Sequence, residues 1–589
     1  MRAESVNIQW IRPGRAILHG KEILLVLLLF STCLPVFSQQ PGTLMDAAFR
    51  GQNRLVETLV EQGSNVNLRD EDSLTPLIYA VLGGHTETVK ILLSRGADCV
   101  LRAGDGAKPS MIAAGAGHLA ILQILLEKDT DVNARDSSGH TALIWGILGG
   151  EIGVVEALLG AGADPNAKDK VGWTALMRAI HQGDTAIVEA LLNRGADATV
   201  VSQDGWTALG LASLRRDVRT VNALLESGAD ANTIASDGLS ILMHAASEGS
   251  SSVVGLLLAY GADSSFRDQE GATPLTAATY QGFTETVKVL LEQGANVDLR
   301  DNRGRSALMH AAWRGRAEEA KLLLGHGADV SLKSEEGQTT MDFAVWNDHS
   351  SVVEILLAHS GKVNSKDEMG LTALSHAAIE GHLATVQTLI SKGAEINTGD
   401  SGGRTPLMHA SLNGHISVVG ALISGGADVN AQSAEGWTAL GLALLHDHSA
   451  VVEALLAQDS DVNVKLKDGQ TALGLAAYRG RTSLVDLLLR HGANVNARND
   501  EGQTALGFAA FQGFSGTVET LVSGGANVNS QDDGGRTPLM HAVWNGNGPV
   551  VQLLLVRGAH VDTKDEAGLT ALEIARSRGQ ETTATLLLE

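Results

Sequence analysis

Histidine and carboxylate are the residue types here that could bind a metal or move protons, with 19 His and 67 acidic side chains in 589 residues. His446 and His448 form an H-x-H, and His349 holds the matching slot three 33-residue steps earlier. Zinc ligands must converge within about 2 Å of one ion, whereas three stacked layers at about 10 Å each hold these rings apart. His244, His310, His376, His409 and His541 recur on one register and are equally dispersed. The segment GDGAKPS at 104–110 resembles a phosphate loop, yet Gly106 and Lys108 also fall on the register that runs through the chain. No H-E-x-x-H, C-x-x-C, Walker loop or nucleophile elbow stands out. The reading is a non-enzyme without a metal or cofactor site.

The elements that position these residues are periodic. Thr75, Thr141, Thr174, Thr207, Thr273, Thr339, Thr372 and six later threonines keep one 33-residue register, with Ser240 and Ser306 as conservative replacements and Lys108 as the exception. A strict period of this length marks stacked supersecondary units, none able to bury its apolar face alone. The threonine hydroxyl caps the helix that follows it, and Pro76, Pro274, Pro406 and Pro538 occupy the first helical turn, where a missing N–H costs nothing. Gly84, Gly183, Gly381 and their equivalents, nine residues on, predict left-handed helix ends. A second helix follows, with Val188, Leu191 and Leu192 at helical spacing, and stops at a late glycine such as Gly195. Asn- and Asp-rich turns such as 131–135 lead to the next unit. Paired alanines, Ala377–Ala378 and Ala476–Ala477, keep the first helix thin.

These motifs (T-P-L/A-L, the double alanine, the mid-unit glycine and G-A-D/N-V-N) resemble the ankyrin-repeat family. The resemblance covers residues 42–589, about sixteen units after an N-terminal half-unit at 46–52. It implies an all-α ankyrin-repeat solenoid, a helix-turn-helix plus a hairpin-like loop per unit. It also implies a protein-binding groove made by the turn tips and the exposed face of the first helices. One departure is consistent: the histidine usual three residues after the threonine is replaced by Ile78, Met177, Met309, Met408, Gly441 and Met540, and histidine appears one step later. The usual histidine's bracing role is therefore not carried over.

Aromatic residues follow the same ruler. Trp173, Trp206 and Trp437 precede the threonine; Tyr79, Trp145, Phe343 and Phe508 lie four residues after it; Phe49, Tyr280, Trp313, Trp346, Tyr478, Phe511 and Trp544 lie seven after it. Positions +4 and +7 share one helix face, and Arg178, Arg314 and Arg479 accompany them. Aromatic and arginine side chains are enriched in binding hot spots, so Trp145, Trp173, Trp206, Tyr280, Trp313, Arg314, Trp346, Trp437, Tyr478, Phe511 and Trp544 form the candidate partner surface. Bracing between neighbouring first helices is the competing role.

Residues 1–38 lie outside the pattern. Arg12, Arg15 and Lys21 precede an apolar run from Ile23 to Phe30, with small residues before a cut after Ser38. This is the layout of a secretory signal peptide, with an uncleaved signal anchor as the alternative and the sole membrane attachment. Family members with such a signal look bacterial, so the address expected is exported, periplasmic or secreted. The formal charge of −23 repels phosphate backbones and argues against nucleic acid as partner. The expected function is a protein-interaction scaffold; a structural or self-associating envelope element, or a secreted effector acting on host proteins, is the alternative. Lys108, Arg216, Asp348, Asp447, Asp129, Ser360 and Asp459 break the repeat rules, and the Lys108 unit is the expected soft joint. Segments 273–315 and 504–546 share QGF and M-H-A-x-W, seven units apart, which points to duplication of a block.

Overall fold

The computed structural model describes residues 42–589, so segment 1–38, expected to be an export signal, lies outside the described residues. The described residues form 34 α-helices and no extended strand. They cluster as two compact units, Met1–Asn302 (described from residue 42) and Arg303–Glu589. No helix among them is long and apolar enough to cross a membrane.

Each step builds one helix pair, as its caps dictate. Thr174 has extended backbone (φ −89°, ψ 167°), and its hydroxyl accepts a hydrogen bond from Met177 N (3.3 Å), opening helix Ala175–Gln182. Gly183 closes it at φ +84°. Asp184 then accepts from Ile187 N (3.0 Å) and opens the second helix, Thr185–Asn193. An isolated antiparallel bridge, Lys168 to Thr174, folds the preceding loop back on itself. Within Arg303–Glu589, first helix Ala373–Glu380 packs on first helix Pro406–Asn413, and second helix Leu383–Ser391 on second helix Ile416–Ser424. Ala377 and Ala378 are fully buried in that seam, where any larger side chain would push the layers apart. The methionines that replace the expected histidine, Met309, Met408 and Met540, are core residues.

Two polar rungs join successive layers. The Asn463 side chain donates to the Gly492 carbonyl (3.1 Å) and accepts from Asn494 N (2.7 Å). Asn166 does the same to Gly195 O and Asp197 N in the other unit. The turn-forming asparagines are thus inter-layer clamps. The second rung is the residue ten after the threonine: His349, His382, His415 and His448 donate from Nε2 to the carbonyls of Trp313, Trp346, Ile379 and Leu412 at 2.9–3.0 Å. The imidazole lies over the left-handed glycine of the layer before; a Cβ added to Gly381 would sit 2.6 Å from the His415 ring.

The rule-breaking positions resolve individually. Lys108 is buried rather than loose, and its Nζ reaches both carboxylate oxygens of Asp129 at 2.9 and 3.0 Å. The unit expected to be a soft joint therefore carries an ion pair where others carry a hydroxyl cap. Asp348 (φ +55°) and Asp447 (φ +62°) adopt the left-handed conformation without glycine. Asp348 accepts from the Thr385 hydroxyl (2.8 Å), and Asp447 holds Arg481 bidentately. With Ser360 in the late glycine slot, helix Ser350–Ser360 runs two residues further than helix Thr185–Asn193 in its layer and ends at Gly361, φ +64°.

Candidate functional site

The residue five before the threonine and the residue four after it form a recurring pair. Oδ1 of the aspartate caps the loop, as where Asp169 accepts from Val171 N (3.0 Å) and Trp173 N (2.9 Å). Its other oxygen takes a side-chain donor from the first helix: Tyr79 on Asp70 (2.5 Å), Trp145 on Asp136 (2.9 Å), Arg178 on Asp169 (2.6 Å). His376 on Asp367, His409 on Asp400 and His541 on Asp532 lie at 2.9–3.0 Å. The histidine found one step late thus braces the loop against its own helix.

The electrostatics follow the pairing. Burial pushes the Asp136 carboxyl up, but hydrogen bonds from His140 and Trp145 outweigh it and leave the group below the usual carboxylate range. Asp268 has the same loop and meets Ala277, which donates nothing; burial, with Glu270 and Asp301 adding repulsion, holds its carboxyl above that range. Burial keeps the His409 and His541 imidazoles below their ordinary value, although Asp400 and Asp532 pull the other way.

This geometry corrects part of the aromatic surface. Trp145 is 8 % exposed and spends its indole N–H on Asp136, so it braces the loop. Trp173 is also 8 % exposed; its ring lies edge-on to His181 (5.4 Å) and under the Arg178 guanidinium (4.9 Å). Arg178 and His181 thus enclose the indole beside the turn. Trp206 and Trp437 are half-buried over Gly210 and Gly441, where a Cβ would approach the rings to 3.8 and 3.3 Å. At Gly441 a Cβ would also crowd Leu466 at 2.8 Å, whereas at Gly210 the indole leaves ordinary contact distance.

The +7 residues behave differently. In Arg303–Glu589 they are Trp313, Trp346, Ile379 and Leu412, then Leu445, Tyr478, Phe511 and Trp544 in the next four layers. These eight are large and apolar, seven half-buried and Tyr478 46 % exposed; the last layer carries Ser577 in the slot. In Met1–Asn302 the same row is broken by Gly115, His181 and Ser247, with Tyr280 half-buried at its end. Rings touch along the ridge: Trp313 stacks on Phe343 (5.9 Å), Phe343 meets Trp346 edge-on (6.0 Å), and Trp346 meets His376 (6.0 Å). Further on, Tyr478 meets Phe508 (5.8 Å) and Phe511 meets His541 (6.1 Å). Arg314 is exposed beside Trp313. The histidine rungs hold the backbone of this ridge at four of its layers. The aliphatic members Ile379, Leu412 and Leu445 escape a search for aromatics; reading every +7 residue in order would have found them.

Among the described residues no group of three or more His, Cys, Asp or Glu is placed to hold a metal ion. His448 serves as a rung and His446 is exposed beside it, ring centroids 6.2 Å apart. A comparison with curated proteins finds no match. The family model for ankyrin repeats in three copies matches nine segments between residues 16 and 532, and the model for many copies matches 521–575. Ankyrin repeats are generally protein–protein interaction modules and are typically non-enzymatic. With capped helix pairs on an unbroken 33-residue register and family matches along nearly its whole length, this chain belongs to the ankyrin-repeat family.

Proposed function

We propose that this chain is a non-enzymatic scaffold that binds partner proteins on the first-helix face of Arg303–Glu589. The +7 ridge carries the reading: eight successive layers place a large apolar side chain at the same partly exposed slot. Packing alone does not require this, because the row in Met1–Asn302 accepts Gly115 and Ser247 at equivalent positions. A ridge spaced by about 10 Å per layer on a hydrogen-bonded backbone is rigid before a partner arrives, so association costs little ordering entropy. Trp313, Trp346 and Trp544 are its largest anchors. Affinity capture from the source cells, wild type against Trp313→Ala/Trp346→Ala/Trp544→Ala, tests the reading. Partners lost only from the variant support it, and identical partner sets refute it.

The same proposal places the protein in an exported compartment. Support comes from the basic residues Arg12, Arg15 and Lys21 ahead of the apolar run 23–30. Mass spectrometry of the N-terminus in fractionated cells decides it: a mature chain starting near Gln39 outside the cytoplasm agrees, and an intact cytoplasmic chain does not.

A further inference from the structure

Two arginines at the C-terminal end of the ridge lack an anion. The Arg536 guanidinium lies 4.8 Å and that of Arg578 4.3 Å from the Trp544 ring centroid. Among the described residues neither guanidinium forms an ion pair or a side-chain hydrogen bond. Arg178 over Trp173 is the internal comparison: there the guanidinium is tied to Asp169 at 2.6 Å and the assembly is closed. Of the carboxylates near Arg536 and Arg578 in sequence, Glu581 is exposed at the start of its own helix and the other three are committed elsewhere. Asp532 accepts from His541 (2.9 Å), Asp533 from Arg498 (2.8 Å), and Glu573 from the Thr570 N–H and hydroxyl (2.7 and 2.8 Å). In a chain with 23 more acidic than basic residues, two unpaired guanidinium groups on one indole stand out against the bulk charge.

We propose that Arg536, Arg578 and Trp544 form a carboxylate-binding terminus of the ridge, and that the partner is an extended polypeptide segment with apolar side chains followed by an acidic residue. The proposal rests on the scaffold reading above. Stacking on an indole leaves the in-plane N–H groups of a guanidinium free, so each arginine keeps its fork for a carboxylate while the ring fixes its orientation. The adjoining layers offer Leu445, Tyr478 and Phe511 to apolar side chains of the same segment. The acidic end fixes the direction in which the segment lies. The chain's net charge alone points to basic partners; the local pairing inverts that expectation at this end of the ridge.

Selection of short random peptides displayed on phage against the full chain tests this. Enriched sequences should carry Asp or Glu next to apolar residues and lose roughly tenfold or more in affinity on Arg536→Gln/Arg578→Gln, the scale of a lost charge-assisted hydrogen bond. Thermal melting of that variant should stay close to wild type, because only the contacts with the Trp544 ring are lost. Enrichment of basic or uncharged peptides, no enrichment, or acidic peptides held equally by the arginine variant each overturns the proposal. If acidic peptides ignore the arginine variant and are lost from Tyr478→Ala/Phe511→Ala, the ridge stands as a docking surface and the carboxylate assignment falls. If they ignore both variants, the scaffold reading of this face falls too.

Discussion

Lys108 and Asp129 are two departures from the repeat, and they meet each other. Lys108 replaces the capping threonine and Asp129 the late glycine, and their side chains, 5 % and 4 % exposed, pair at 2.9 Å inside the unit. Removing one partner of a buried pair strands a charge, whereas removing both restores an ordinary cap and turn. Lys108→Met should therefore cost about 3–5 kcal/mol, and Lys108→Thr/Asp129→Gly should return stability to wild type or above it. Chemical denaturation of both variants, with hydrogen exchange of helix Pro109–Gly115, reads the outcome. Equal losses in both would show that the pair is incidental.

The contrast between Asp136 and Asp268 makes a gain-of-stability prediction. Ala277→His supplies the donor that Asp268 lacks, and the added hydrogen bond should contribute about 1 kcal/mol at neutral pH. The Asp268 carboxyl should fall from above the ordinary range to below it. A carboxyl raised by folding opposes stability once it ionises, so the gain appears above the carboxylate range and fades as pH drops through it. An NMR titration of Asp268 in both chains checks the shift; an unmoved carboxyl refutes the pairing rule.

His409 and His541 contribute to the acid limb of stability. Burial holds both below their ordinary value, so the unfolded chain takes up protons at a pH where the folded chain does not. Their contribution is complete above the unfolded value and is lost as pH falls through it toward the folded one. The denaturation midpoint should drop between about pH 7 and 5. His409→Gln/His541→Gln keeps a donor for Asp400 and Asp532 without titrating, and should flatten that slope.

The histidine rungs separate backbone strain from contact. Gly162 (φ +88°) has nothing near its missing Cβ, while Gly381 (φ +81°) faces the His415 ring at 2.6 Å. Gly162→Ala should cost about 1–2 kcal/mol from the left-handed backbone alone. Gly381→Ala should cost more and break the His415 hydrogen bond to Ile379 O. Equal costs from thermal melting would show that the rung contributes nothing.

The helix pairs were legible because each carries its start and stop in adjacent residues: Thr174 with Met177, Gly183 at the end, Asp184 reopening. The +4 pairs were not, because Arg178 and Asp169 stand nine residues apart on different elements and neither type alone announces a partner. Their signal lies across units: where Ser202, Ser433 or Leu466 replaces the aspartate, Leu211, Leu442 or Leu475 replaces the donor. The buried setting of Trp145 and Trp173 is hidden for a related reason. A tryptophan beside a turn reads as exposed until the ring and guanidinium that close over Trp173 are known. Aliphatic members of the ridge, such as Ile379 and Leu412, look like core until the layers are aligned.

The asparagine clamps reach forward along the chain and the histidine rungs reach back. On the ribosome, Asn463 emerges before the Gly492 carbonyl it will hold, whereas His448 emerges to find the Leu412 carbonyl already in place. A layer that carries both, as the one with His448 and Asn463 does, thus meets a waiting acceptor behind it and sets out a waiting side chain ahead of it. Folding can keep pace with synthesis one layer at a time, with a nearly full set of partners at each step.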